Sequence, residues 1–154
     1  MYAFIGKKLF CLAKPFLRRF FGRANVRRVR VVVLNRRGEV LLVKGWFSNQ
    51  RWELPGGGMH RQERPEVAAQ RELYEETGLT VDSEQFQFAG EFRHPDGATP
   101  FTVILFRVHA DAAVAIPKRF KWEILEAQWW PVSALPQEVG RIVPRALGAA
   151  SELE

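Results

Sequence analysis

Residues 57–79 read GGMHRQERPEVAAQRELYEETGL, and this stretch decides the reading of the whole chain. Glu72, Glu75 and Glu76 stand at i, i+3 and i+4. On a helix those offsets place three carboxylates on one face. Like charges this close repel, so the cluster costs stability unless positive charge sits among them. Arg71 can neutralise part of it. The remainder calls for a metal ion, and an all-carboxylate, all-oxygen site suits Mg²⁺ or Mn²⁺. The helix is predicted to begin near Pro65, a favourable first-turn residue, with Glu66 complementing its positive end. Gly78 is predicted to stop it as a left-handed cap.

The same residues resemble the Nudix box of the MutT-like Nudix hydrolases, G-x5-E-x7-R-E-U-x-E-E-x-G-U, with U a bulky aliphatic. The match begins at Gly57 and continues through Glu63, Arg71-Glu72-Leu73, Glu75-Glu76 and Gly78-Leu79, so every fixed position is filled. Just upstream, Trp52-Glu53-Leu54-Pro55-Gly56-Gly57-Gly58 resembles the segment that leads into such a box. A solvated acidic helix face would account for the three glutamates, but not for Gly57, Glu63 or Gly78. The chain departs from common Nudix usage at His60, Arg61 and Gln62, where an acidic residue, Pro and Gly are usual. Arg64 stands where a Ser or Thr cap is typical, and losing such a cap costs ~1 kcal/mol. His60 reads as a solvent-facing loop residue.

The resemblance implies an α/β fold of Nudix type, an α/β/α sandwich around a mixed β-sheet. It implies Mg²⁺-dependent hydrolysis of a diphosphate linkage in a nucleoside diphosphate joined to a moiety X. Glu72 and Glu76 match the principal metal ligands, and Glu75 an additional ligand or supporting group. The main-chain carbonyl of Gly56 matches a further ligand. Glu63 matches an acid that supports the site from the preceding loop through Arg71 or a water. Arg71 matches the residue that orients the glutamates. The run Lys121-Trp122-Glu123-Ile124-Leu125-Glu126-Ala127-Gln128-Trp129 resembles a later segment that follows a loop able to carry one more glutamate into the site. Glu123 is the better match and Glu126 the second. A metal-bound carboxylate is a poor base because its lone pairs are engaged. Glu123 is therefore expected as general base, against a surface acid paired with Lys121 or Arg119. A catalytically inactive nucleotide-binding or regulatory module of the same fold is the rival reading.

The rest of the chain agrees with one α/β domain. With 154 residues, 47% hydrophobic, it is long enough to bury a core. Cys11 is the lone cysteine, which excludes a disulfide framework or a Cys-based zinc site and points to a reducing compartment. No apolar run reaches the ~18 residues of a spanning helix, so a cytoplasmic location is expected. Residues 1–30 hold nine Lys or Arg and no acid, leaving fourteen basic against seventeen acidic side chains in the remainder. Residues 1–24 therefore read as a basic arm before a domain over 25–154. Apolar residues of the arm recur near helical period, with Pro15 as a kink. Three readings of this amphipathic helix stand: packing on the domain or on a second subunit as a homodimer, lying on an anionic membrane surface, or contacting RNA or another polyanion.

Strands are predicted at Val26–Asn35 and Val40–Lys44 around a turn at Arg36–Glu39, at Phe86–Arg93, at Phe101–His109 and at Ala127–Val132. A turn at His94–Gly97 and a last helix over Val139–Ala150 complete the pattern. Trp46, Phe47 and His94 are candidate walls for a nucleotide-type substrate, and Trp129 and Trp130 read as core.

Overall fold

The computed structural model describes residues 26–46, 48, 51–94, 101–121 and 123–152. The basic arm with its expected helix lies outside these residues, as do Phe47 and most of the turn after His94. Six strands are described: β1 Val26–Leu34, β2 Glu39–Gly45, β3 Trp52–Glu53, β4 Gln87–Arg93, β5 Phe101–His109 and β6 Ile124–Pro131. Two helices accompany them, α1 Pro65–Thr77 and α2 Ile142–Ser151.

β1 is a run of β-branched residues covered on both faces, which is why it sits centrally. It lies parallel to β5, Val26 opposite Phe101 through Leu34 opposite His109. β4 pairs antiparallel on the far side of β5, so the sheet is mixed. Val29, Val31 and Val33 join Ile104 and Phe106 on one face, where Ala68, Ala69 and Leu73 of α1 cover them. Val32, Val103 and Leu105 face the other way, under Ile142, Val143 and Ala146 of α2. The alternation in β1 and β5 thus builds the expected sandwich, one helix on each face.

The β1–β2 hairpin opens almost at once. Gly38 takes the left-handed turn position at φ 72°, and the Asn35 carboxamide oxygen accepts from the backbone N–H of Arg37 and of Glu39. Beyond the Leu34–Val40 pair, β2 leaves β1 and runs antiparallel to β6. The vacated edge of β1 is filled by the Gly-rich run. Val31 N–H donates to the Pro55 carbonyl at 2.9 Å and Val29 N–H to the Gly57 carbonyl at 3.0 Å. Gly56, at φ 137°, is required there because a Cβ would collide with the Val29 carbonyl.

Two predicted boundaries move. β6 starts at Ile124 rather than Ala127, because it tracks β2 down to Gly45. The last helix starts at Ile142 rather than Val139, because the backbone at 138–140 is bonded to Trp52 instead: Trp52 N–H donates to Glu138 and Gly140 N–H to Trp52. At its other end, buried Arg107 donates to the Ala150 carbonyl at 3.1 Å, tying the C-terminus of α2 to β5. No helix among the described residues is long and apolar enough to cross a membrane.

Candidate active site

α1 begins at Pro65 after Arg64, which is extended and gives no side-chain cap. It ends at Gly78, φ 75°, whose N–H returns to the Tyr74 carbonyl at 2.8 Å. A Cβ on Gly78 would strike the Ala115 carbonyl, so two independent constraints demand glycine. Burial of Ala68, Ala69 and Leu73 fixes the rotation of α1, and with it the side that carries Glu72, Glu75 and Glu76.

Arg71 organises this side. Its Nε and Nη2 each reach the Glu63 carboxylate at 2.9 Å, a bidentate pair. Nη2 also reaches the Gly58 carbonyl at 2.9 Å, Nη1 donates to Glu72 at 2.7 Å, and Glu75 lies 3.6 Å from Nη1. Glu63 accepts from the His60 backbone N–H at 2.7 Å as well. The Arg71 guanidinium, helped by that N–H, holds the Glu63 carboxyl down at about 2, and Glu63 in turn raises Arg71. The His60 ring is 72% exposed and stays at the rim.

The other carboxylates are pushed the opposite way. Burial raises Glu76 to about 8, opposed by Arg30 and by the Gly56 N–H that donates to it at 2.8 Å. Burial also raises Glu72, against the pull of Arg71. Gly57 lies so close to Glu72 that a Cβ would overlap its carboxylate. Glu123 stands just after the short 3-10 turn Lys118–Phe120 and is raised by burial and then by Glu75. Its charge also bears on Glu76. Among the described residues Glu123 has no ion pair with Arg119 or Lys121, whereas Glu126 pairs with Lys44 at 3.7 Å. Of the two acids, Glu123 is the one whose charge bears on the helix carboxylates Glu75 and Glu76.

Two residues of this site were not singled out from the sequence. Arg28 and Arg30, counted there only among the basic residues of the first thirty, sit on β1. Arg30 donates to the Gly56 carbonyl and lowers Glu76, while Arg28 is half-buried and in the field of Glu72. The available signal was their spacing. Two arginines two positions apart in a valine run share one strand face that is otherwise apolar.

The remaining candidates fall outside the carboxylate cluster. Trp130 packs edge-on against Trp52 at 5.5 Å, and Trp129 packs beside the α1 core, so both are structural. Trp46 lines an open groove of about 430 Å³ with Ile116, Lys121, Ile124 and Leu125. His94 stacks on Phe101 at 4.4 Å.

Among the described residues no three acidic, His or Cys side chains converge closely enough to hold a metal ion. Glu72 is turned to Arg71, Glu76 to the Gly56 N–H, and the Gly56 carbonyl to Arg30. The donor chemistry nevertheless fits a hard divalent cation. Every candidate ligand is oxygen, and Glu76 is a desolvated carboxylate short of positive charge.

The family model of the NUDIX domain matches residues 24–148. The RNA pyrophosphohydrolase of Mannheimia succiniciproducens is 50% identical over 52 residues, 34% of this chain and 26% of that protein. The mouse diphosphoinositol polyphosphate phosphohydrolase 3-alpha is 52% identical over 44 residues, 29% of this chain and 27% of that protein. The chain therefore aligns with under a third of the length of these relatives. Among solved structures, the MutT NUDIX hydrolase of Burkholderia pseudomallei superposes with a TM-score of 0.72 at 22% identity, over 82% of this chain and 98% of that one. The NUDIX domain of Shewanella oneidensis NrtR, solved with ADP ribose, gives 0.70 at 18% identity over 86% and 90%. Those structures share the fold, and the family model covers most of the chain together with the complete box: this protein belongs to the NUDIX domain family.

Proposed function

We propose that the chain is a divalent-cation-dependent pyrophosphohydrolase that cleaves a diphosphate linkage in a nucleoside diphosphate joined to a moiety X. The observation that carries this reading is the Arg71-centred cluster, in which Glu63, Glu72 and Glu75 are gathered by one guanidinium beside desolvated Glu76. Relatives named pyrophosphohydrolase and phosphohydrolase support the reaction class.

In this reading Glu72, Glu76 and the Gly56 carbonyl would hold Mg²⁺, or Mn²⁺ in its place, with Glu75 as a further ligand or support. The cation supplies charge neutralisation of the phosphate oxygens and a lowered pKa for water. Arg71 and Glu63 position the carboxylates. Glu63 stays ionised through any working pH, so the pair is a permanent strut rather than a titrating group. Glu123, carried on a separate segment, accepts the proton of the attacking water. Its raised pKa makes it a stronger base than an ordinary glutamate while leaving it outside the Arg71 network. Trp46 and His94 bound the space for the nucleotide. The protein is taken to act in the cytoplasm.

The test is incubation of purified protein with Mg²⁺ and a panel of dinucleotides, nucleotide sugars, nucleoside triphosphates and 5′-triphosphate RNA. Mg²⁺-dependent release of phosphate-containing products from at least one of them is expected. No turnover across the panel would defeat the reading and favour a binding module.

A further inference from the structure

Residues 1–30 hold nine Lys or Arg and no acid, and the candidate site takes up only Arg28 and Arg30 of them. The end of the domain at which β1 begins continues this charge. In the register of the sheet, Arg27 of β1 and Arg93 of β4 flank Thr102 of β5 in one row, on one face. At the other edge of β1, Arg28 stands across an isolated bridge from Gly58, and the loop over 58–64 that leaves from there carries Arg61 and Arg64. Arg61, Arg64 and Arg93 are exposed, without acidic partners among the described residues. Glu91 is taken up by Arg27 at 3.2 Å and Glu63 by Arg71 at 2.9 Å, which leaves Glu66 as the remaining acid of these segments. The far end of β1 is different. There Arg36 pairs with Asp111 at 3.0 Å and Arg37 with Glu39 at 2.9 Å.

The exposed guanidiniums are solvated, so none of them requires a ligand. Together they set a positive potential over one end of the domain, and the basic arm joins the domain at that end. Like charge opposes folding of the arm back over it, whereas an anionic surface attracts both. Arg64 also precedes the positive end of α1, where a cation opposes the helix dipole, so helix stability does not account for it.

Charge alone does not account for the arm's sequence. Ile5, Leu9, Leu12, Phe16 and Phe20 follow one another at intervals of four, three, four and four, a single stripe at helical period. Lys7, Lys14 and Arg18 fall opposite that stripe. A nucleic acid would use the charges and leave the stripe in water. A bilayer with anionic headgroups uses both, the stripe at the acyl boundary and the basic side chains among the headgroups.

We infer that residues 1–24 and the exposed Arg61, Arg64 and Arg93 form one docking surface for an anionic phospholipid bilayer. The inference is independent of the pyrophosphohydrolase reading, since it uses none of the carboxylates.

The test is sedimentation of the full chain with vesicles of phosphatidylcholine alone and of phosphatidylcholine mixed with phosphatidylserine. Wild-type protein should bind the mixed vesicles, bind phosphatidylcholine alone at least about 10-fold more weakly, and release from the mixed vesicles as salt rises. Each basic side chain near such a surface strengthens binding about 5-fold. The triple variant Arg61→Gln, Arg64→Gln, Arg93→Gln should therefore bind the mixed vesicles about 10- to 100-fold more weakly. Its Tm should stay near that of the wild type, because all three positions are exposed. A second variant, Leu9→Ser, Phe16→Ser, Phe20→Ser, keeps every charge and should lose about 10-fold or more of its vesicle binding. Equal binding to both vesicle types, or none to either, overturns the inference. So does a triple arginine variant that binds as the wild type does, which would leave the domain out of the surface. If the wild type binds a single-stranded RNA oligonucleotide more tightly than the mixed vesicles and the serine variant keeps that affinity, the partner is a nucleic acid and the inference fails. Should the serine variant not be recovered folded, the wild type and the triple arginine variant decide.

Discussion

Replacing Glu76 by Gln separates the electrostatic cost of the site from its chemistry. The exchange keeps the shape and keeps an oxygen to accept from the Gly56 N–H. It removes a carboxyl whose pKa in the folded protein is about 8, against an ordinary 4.5. The folded state therefore binds this proton more tightly than the unfolded chain, so stability falls as pH rises from about 4.5 to about 8. Above that window the separation corresponds to roughly 5 kcal/mol. Water reaches the half-buried side chain, which brings the expected gain from the amide down to about 2 kcal/mol. For a domain of this length that raises Tm by roughly 4–8 °C. The assay is thermal unfolding of both proteins in chelator from pH 5 to 9. Glu76→Gln should be the more stable at pH 8, and the two should converge at pH 5 to within about 1 kcal/mol. With Mg²⁺ added, wild-type protein should gain stability that the variant largely lacks. A constant difference across pH, or a variant destabilised at pH 8, would refute the reasoning.

Glu123→Gln should lower kcat by about 10²- to 10⁴-fold with little change in KM, and should remove the acidic limb of the pH–rate profile; an unchanged profile would return the role of base to Glu72 or Glu75. Gly78→Ala should destabilise by about 2 kcal/mol or more in urea unfolding, since it combines a left-handed backbone with a collision at the Ala115 carbonyl; a loss below about 0.5 kcal/mol would mean that the α1 terminus relaxes freely. Deleting residues 1–24 should leave the carboxylate site and its turnover in place while changing oligomeric state, membrane association or solubility, read by light scattering and vesicle sedimentation. A folded but inactive truncation would instead make the arm part of the site.

The spine of this fold is legible because its signals are local. Valine alternation marks β1, Pro65 and Gly78 mark the ends of α1, and the offsets of Glu72, Glu75 and Glu76 place them on one helix side. What is not legible depends on pairing between distant segments. Nothing in Ile124–Glu126 announces that β6 must follow β2 to its end, and nothing at Val139 shows that its neighbours bond to Trp52 instead of starting a helix. The resemblance ranks Glu123 above Glu126, but only the register of β6 on β2 shows why Glu126 is taken up elsewhere, since it lies opposite Lys44. Arg28 and Arg30 were hidden by composition. They extend a run of basic residues, and only the filling of the β1 edge by Pro55–Gly58 brings them to the carboxylates.

The most direct test of the central claim is the initial rate of product release from the best substrate of the nucleotide panel, as a function of Mg²⁺, for wild-type protein and Glu72→Gln. The account predicts saturable Mg²⁺-dependent turnover in the wild type and a kcat at least ~10²-fold lower in the variant at saturating Mg²⁺. Equal rates in the two proteins, or wild-type turnover that persists in chelator, would contradict it.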